Sequence, residues 1–376
     1  MSAVAATARG GGTTSLAEPL VAHVARRWPV WGAEGGAPVR GVLLGIDRSP
    51  DAKVVCLLFD AAGRLVAVAK AARSAAGEHA LAVECDALQA LDRSRSRRLD
   101  LTVPRVLGTV SVAGRRGLVE TPAAGRPMSS DYYAAGHVGD ACAVTVDFEA
   151  AAGWLDVLHR GTSLGCTTAA EAARRWLHPV LDGYLSDVGH DPEARDLVAA
   201  VRARLERHGD ALVPVTAVHG DFWMGNLLRV RPGEVSSVVD WERSRPAGVP
   251  LGDVFKFPTS YGMYLDRAEP WRRGRLPGHP GRAKLAARWS ADGTAPNVLG
   301  FGYTWFGDGW FPALARSFVT DGLGRLGVPP AVAGPFFVGF LAEQLLAANT
   351  EDFRAGYRQI LRAFAAERDG SWLWHA

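Results

Sequence analysis

AVHGDFWMGNLL, residues 217–228, sets His219, Gly220, Asp221 and Asn226 between two short apolar runs, and VSSVVDWE, residues 235–242, follows closely. Both stretches read as aliphatic strands punctuated by Gly, Asn and Asp. LLRV (227–230) and VSSVVD (235–240) are nearly symmetric about Pro232 and Gly233, so a hairpin folded there is expected to bring Asp240 back beside Asn226. Magnesium takes a few hard oxygen ligands and completes its shell with phosphate oxygens. A carboxylate and an amide at adjacent strand ends therefore suit it once a nucleotide supplies the rest. Asp221, upstream on the loop, is placed to accept or orient the proton of an attacking hydroxyl.

The remainder of the chain has to supply a nucleotide site, and its size allows one. At 376 residues it exceeds a typical single domain, so two lobes are expected. A hydrophobic share of 48% with 22% charged residues fits a globular protein, and no apolar run approaches the length a bilayer crossing needs. A net charge of +3 gives no general argument for nucleic acid or an anionic membrane. Cys56, Cys85, Cys142 and Cys166 form no CxxC pair, which suggests neither a disulfide framework nor a zinc site. MSAVAATARGGGTTS at the N-terminus has no apolar signal core and reads as a frayed tail, so a reduced cytoplasmic setting is expected.

Residues 40–70 punctuate like a small antiparallel sheet: RGVLLGI (40–46), KVVCLLF (53–59) and RLVAVAK (64–70), with DAAG (60–63) turning between the last two. Folding about Ala61 to Gly63 pairs Phe59 near Leu65 and carries Lys70 opposite about Val54, beside the loop from Asp47 to Ala52. Residues 75–93 have Leu81, Cys85, Leu88 and Leu91 at helical spacing, with Glu84 next to that stripe. Two further strands are expected over 101–120 around a Gly-Arg-Arg-Gly turn, and from Asp147 onward amphipathic helices dominate. Lys70, donated by the sheet lobe, would neutralise phosphate charge.

HGDFWMGN (219–226) followed by VVDWE (238–242), with an upstream strand lysine and helix glutamate, resembles the aminoglycoside phosphotransferase and choline kinase family, which is related in fold to protein kinases. The resemblance covers about residues 40–360. It implies an α+β, two-lobe protein-kinase-like fold: an N-terminal tail or extension over 1–38, a sheet lobe with one helix over 39–121, and a mainly helical lobe over 122–376. Carried over by position, Asp221 would be the catalytic base, with Asn226 and Asp240 holding Mg2+. Lys70 would contact the nucleotide's phosphates with Glu84 pairing to hold it, in preference to Glu78 on the same helix. Glu120 and Thr121, in the linker LVETPAAGRP (118–127), would offer backbone groups to adenine. His219 would brace the loop, and Asp253 would brace the metal-binding segment.

The activity so implied is transfer of the γ-phosphate of ATP, or GTP, to a hydroxyl of an aminoglycoside, sugar or amino alcohol. A nucleotide-binding pseudokinase is the alternative, because GIDRSPDAK (45–53), where a phosphate-binding loop would lie, has a single glycine. Residues 243–288 carry ten Lys and Arg against three Asp and Glu, which speaks against a polycationic acceptor if the segment meets it; a solvated face is the plainer reading. The aromatic run FGYTWFGDGWF (301–311) reads as helix core before it reads as a sugar platform.

Overall fold

The computed structural model describes residues 14–31, 36–44, 53–93, 101–112, 114–134, 136–265 and 296–375, with the single residues 99, 284 and 287 besides. The loop over 45–52 and most of the basic segment beyond Leu265 lie outside the described residues, as does the expectation that Lys70 adjoins the former. The chain divides into two compact units, residues 1–125 with 236–244, and residues 126–235 with 245–376.

The first unit is an antiparallel sheet of β1 (Arg40–Leu43), β2 (Lys53–Phe59), β3 (Leu65–Ala72), β4 (Val106–Val112) and β5 (Arg115–Glu120), in the order β1-β2-β3-β5-β4. Asp60 closes the β2–β3 turn by accepting from the backbone N–H of Arg64, and Gly63 there takes φ +78°, a left-handed value that favours glycine. Phe59 pairs with Leu65 as expected, but Leu58 pairs with Ala67, so Val66 is an extra residue on β3. That bulge moves Lys70 opposite Val55 rather than Val54. Because side chains alternate, Lys53 then shares the face of Lys70. The turn before β5 is also tighter than expected: Arg115 and Arg116 are already paired with Val112 and Ser111, and Gly114 bends the chain at φ +77°.

Helices α1 (Thr14–Trp31) and α2 (Ala75–Arg93) cover this sheet. Only α2 is foreseen by the sequence; Ser74 starts it by accepting from Gly77 N. Residues from Thr14 onward are not a frayed tail. Leu20, Val24 and Trp28 recur every fourth residue and pack on Cys56, Leu58, Ala67, Ala69 and Val119, the sheet face opposite to Lys70.

In the second unit, α3 (Ala141–Gly161) begins six residues before Asp147, because Asp140 caps it by accepting from Cys142 N and Ala143 N. Strand β6 (Arg126–Pro127) pairs with β8 (Leu227–Arg229), and β7 (Thr216–Val218) with β9 (Arg245–Gly248). Helices α4 (Leu251–Met263) and α5 (Ala333–Leu346) complete the frame used below. Phe301, Tyr303, Trp305 and Phe311 are buried, so the aromatic run fills the core. No single helix among the described residues is long and apolar enough to cross a membrane.

Candidate active site

In the first unit two lysines and four carboxylates gather. The Lys70 ammonium lies 2.6 Å from Glu84 Oε1 and 2.9 Å from Glu120 Oε1. Lys53 lies 3.1 Å from Asp240 Oδ1, 3.8 Å from Glu84 Oε2 and in contact with Glu242. Burial works against the charge on Lys70, yet Glu120, Glu84 and Asp240 outweigh it and hold the ammonium above the ordinary lysine range. The same balance keeps Lys53 charged, with Asp240, Glu84 and Glu242 overcoming desolvation. Burial pushes both Glu120 and Glu242 up to about 7, offset in part by Lys70 and Lys53 respectively. Burial thus drives two of the four carboxylates toward the protonated form.

Three of these contacts follow from strand register and helix phase. Val68 is cross-strand from Glu120, so Glu120 and Lys70 are diagonal neighbours on one face. Glu84 sits on the buried stripe of α2 and also accepts from the backbone N–H of Trp241 at 3.2 Å. Glu78, the competing glutamate, instead accepts from Arg116 N and pairs with Arg115. The segment 236–244, which rejoins the first unit, carries Asp240, whose φ of +68° is the one positive value outside glycine among the described residues, and Trp241, which is buried. At Thr121 the backbone N–H donates to Arg105 O and Oγ1 accepts from Arg105 N.

The loop between β7 and β8 belongs to the second unit and alternates inward and outward. Phe222 and Met224 are buried, with Phe222 stacked on Trp154 at 5.5 Å. Asp221 and Trp223 are consequently turned the other way and are half-buried. Gly220 makes the bend at φ +81°. Buried Asp253, the third residue of α4, accepts from the backbone N–H of His219 at 2.7 Å and of Gly220 at 2.8 Å. Burial raises the Asp253 pKa against the opposing pull of His219 and Gly220. His219 Nδ1 in turn accepts from Asp221 N.

Asp221 itself is held from two sides. Asn226 Nδ2 donates to Asp221 O at 3.0 Å and to Asp221 Oδ2 at 3.3 Å, while the Lys256 ammonium is 2.8 Å from Asp221 Oδ1. Lys256 also donates to Gln344 Oε1 of α5 at 2.5 Å. Below the loop, Arg229 of β8 is buried between Asp131 and Asp147, and Asp147 further accepts from Tyr261 Oη. These contacts tie the strand that leaves Asn226 to α3 and α4.

Lys53, Lys256 and Gln344 are members of this chemistry to which motif reading gives no role, and Glu242 stands in the VVDWE motif without one. Lys53 was discoverable only through the bulge, and Lys256 only through its spacing of three residues from Asp253 on one helix face.

Among the described residues no group of three or more His, Cys, Asp or Glu is placed to hold a metal ion. Asn226 and Asp240 nevertheless fit magnesium by their chemistry. The Asn226 nitrogen is committed to Asp221, which leaves its carbonyl oxygen for a cation, and Asp240 offers a carboxylate.

The family model for phosphotransferase enzymes matches residues 63–287, more than half of the chain. The chain belongs to the phosphotransferase enzyme family. This makes it a small-molecule phosphotransferase of the kinase type, with the α+β build of a small antiparallel sheet unit and a mainly helical one. Comparison with the curated proteins finds no match. Among solved structures, this phosphotransferase is similar to an aminoglycoside phosphotransferase from Streptomyces rimosus in complex with ADP and streptomycin, at 17% identity and a TM-score of 0.38, covering 82% of this chain and 89% of that one. It is also similar to a type I macrolide 2'-phosphotransferase, at 17% identity and a TM-score of 0.44, covering 92% and 96%. A third similar structure is an aminoglycoside phosphotransferase from Alicyclobacillus acidocaldarius, at 14% identity and 0.42, covering 89% and 93%.

Proposed function

We propose that this phosphotransferase transfers the γ-phosphate of ATP to a hydroxyl of a small acceptor, with Asp221 as the base, Lys70 on the nucleotide's phosphates, and Asn226 and Asp240 as ligands for Mg2+. The fixation of Asp221 carries this reading: its backbone is hung from Asp253 through His219 and Gly220, and its carboxylate is oriented by Asn226 and Lys256. A carboxylate held so firmly on a loop is organised for one proton acceptor geometry. Its role is to take the hydroxyl proton as the acceptor oxygen bonds to the γ-phosphorus and the bond to the β-phosphate oxygen breaks, giving a phosphate ester and ADP.

Lys70 supports the nucleotide assignment. Its charge is secured by Glu84 and Glu120, and a secured ammonium stabilises non-transferred phosphates electrostatically. Magnesium, when bound, neutralises charge developing on the phosphates. Cytoplasmic residence goes with a nucleotide co-substrate and belongs to the same proposal.

Asp221→Asn should lower transfer to the best acceptor by about 10²–10⁴-fold while leaving nucleotide affinity within a few-fold. A screen of sugars, amino alcohols and aminoglycosides with ATP and with GTP, read as phosphorylated product, supplies the acceptor. Undiminished transfer by the variant removes Asp221 from the role of base.

A further inference from the structure

The second unit holds a cavity of about 390 Å³, within the size range of small-molecule sites, among α3, α4, the helix Trp310–Leu326 and the paired strands Cys166–Thr168 and Leu212–Pro214. Leu155 and His159 come from successive turns of α3, and Phe318, Gly322 and Arg325 from one face of the helix Trp310–Leu326. Gly322 lets that helix come close to α4, since a Cβ there would lie 3.0 Å from Val254 Cγ1. Leu155, Val254 and Phe318 are buried and give the cavity an apolar wall. His159 interrupts it: the side chain is 8% exposed, and its buried Nε2 has no hydrogen-bond partner among the described residues. A buried polar atom left so costs stability until a partner arrives. Arg325 is exposed and has no ion-pair partner among the described residues, whereas Arg160 is matched by Asp156 at 2.9 Å.

An imidazole N–H beside an unpaired guanidinium offers hydrogen bonds and one positive charge to a single negative group. We infer that this cavity is a binding site for a monocarboxylate with an apolar body, its carboxylate held by His159 Nε2 and Arg325 and its chain or ring laid on Leu155, Val254 and Phe318. Arg325 repels a cationic ligand. A phosphate monoester brings a second negative charge, and the other guanidinium lining the cavity, Arg160, is already committed to Asp156. Asp221 does not line the cavity, so the site stands apart from the phosphate transfer proposed above.

Calorimetric titration of the full chain with octanoate, octanol and octyl phosphate tests it. Octanoate should bind with a Kd of about 0.1 mM or tighter, and at least about tenfold more tightly than either comparator. Arg325→Met, at an exposed position, should weaken octanoate at least about tenfold and leave octanol within about twofold. Cys166 is exposed and lines the same cavity, so saturating octanoate should slow its alkylation by iodoacetamide several-fold, read by peptide mass spectrometry. Cys142, exposed on α3 and not lining the cavity, should react at an unchanged rate and serves as the internal control. No heat with octanoate at about 1 mM, a comparator that binds as tightly, unchanged affinity in folded Arg325→Met, or Cys166 left unprotected overturns the inference. If circular dichroism shows Arg325→Met unfolded, the wild-type titrations and Cys166 protection decide.

Discussion

Lys70 shows how much one side chain is asked to do. Its ammonium is the counter-charge to two buried carboxylates, Glu84 and Glu120, and Glu84 Oε2 and Glu120 Oε2 already lack hydrogen-bond partners. Removing one member of a buried ion group leaves the others uncompensated, which costs ~3–5 kcal/mol. Lys70→Met should therefore lower stability by about that amount in chemical denaturation, and adding Glu120→Gln should recover a good part of it. If the double variant is no more stable than the single one, Glu120 is not bearing the unpaired charge. Gly220 and Asp240 illustrate a different demand, on the backbone: φ values of +81° and +68° bring the loop and the return segment to their carboxylates in a conformation that β-branched residues avoid.

At the scale of elements, helices hold the chemistry by their faces. The stripe of α4 that faces the loop is Asp253, Lys256 and the end at Tyr264, and the stripe of α2 that faces the sheet carries Glu84. Helix α3 carries a titratable group in its last turn, His159, which is buried with Nε2 lacking a partner. Burial, aided by the charge of Arg325, lowers its pKa from 6.5 to about 3. The folded state thus refuses a proton that the unfolded chain accepts. Its contribution is fully present above pH 6.5 and is lost as pH falls from there toward 3. At about pH 5 the loss amounts to ~2 kcal/mol. His159→Phe should accordingly shrink the stability difference between about pH 7.5 and pH 5 by roughly that much. An unchanged difference would mean that the imidazole is protonated in the fold.

At the scale of the whole molecule, the chain leaves the sheet unit at Gly125 and returns to it only for Ser236–Ser244. That return is structural as well as chemical, because Trp241 is buried, its N–H bonds Glu84, and Val238 N donates to Thr102 O. Loss of a large buried aromatic costs ~3–5 kcal/mol, which is a large part of a domain's stability. A fragment of residues 1–125 should consequently unfold at clearly lower denaturant than the same fragment with 236–244 attached through a flexible linker, read by far-ultraviolet circular dichroism. Equal midpoints would show that the return segment contributes nothing to the sheet unit.

Strands, helices and the identity of the motif residues were legible without coordinates, because each depends on neighbours in the chain. KVVCLLF and the helix over 75–93 match their observed bounds, and His219, Asp221 and Asn226 stand at short fixed spacings that announce a loop with oxygen donors. Helix α1 was hidden in an Ala- and Arg-rich lead-in whose apolar stripe makes sense only against a sheet face that needs covering. The partners of the motif residues were hidden for the same reason. A single extra residue at Val66 decides that Lys53 rather than its neighbour meets Asp240, and helix phase decides that Lys256 meets Asp221. Local sequence determined which groups this phosphotransferase has to work with. Tertiary packing decided which charges cancel, because pairing energies depend on distance across elements far apart in the chain.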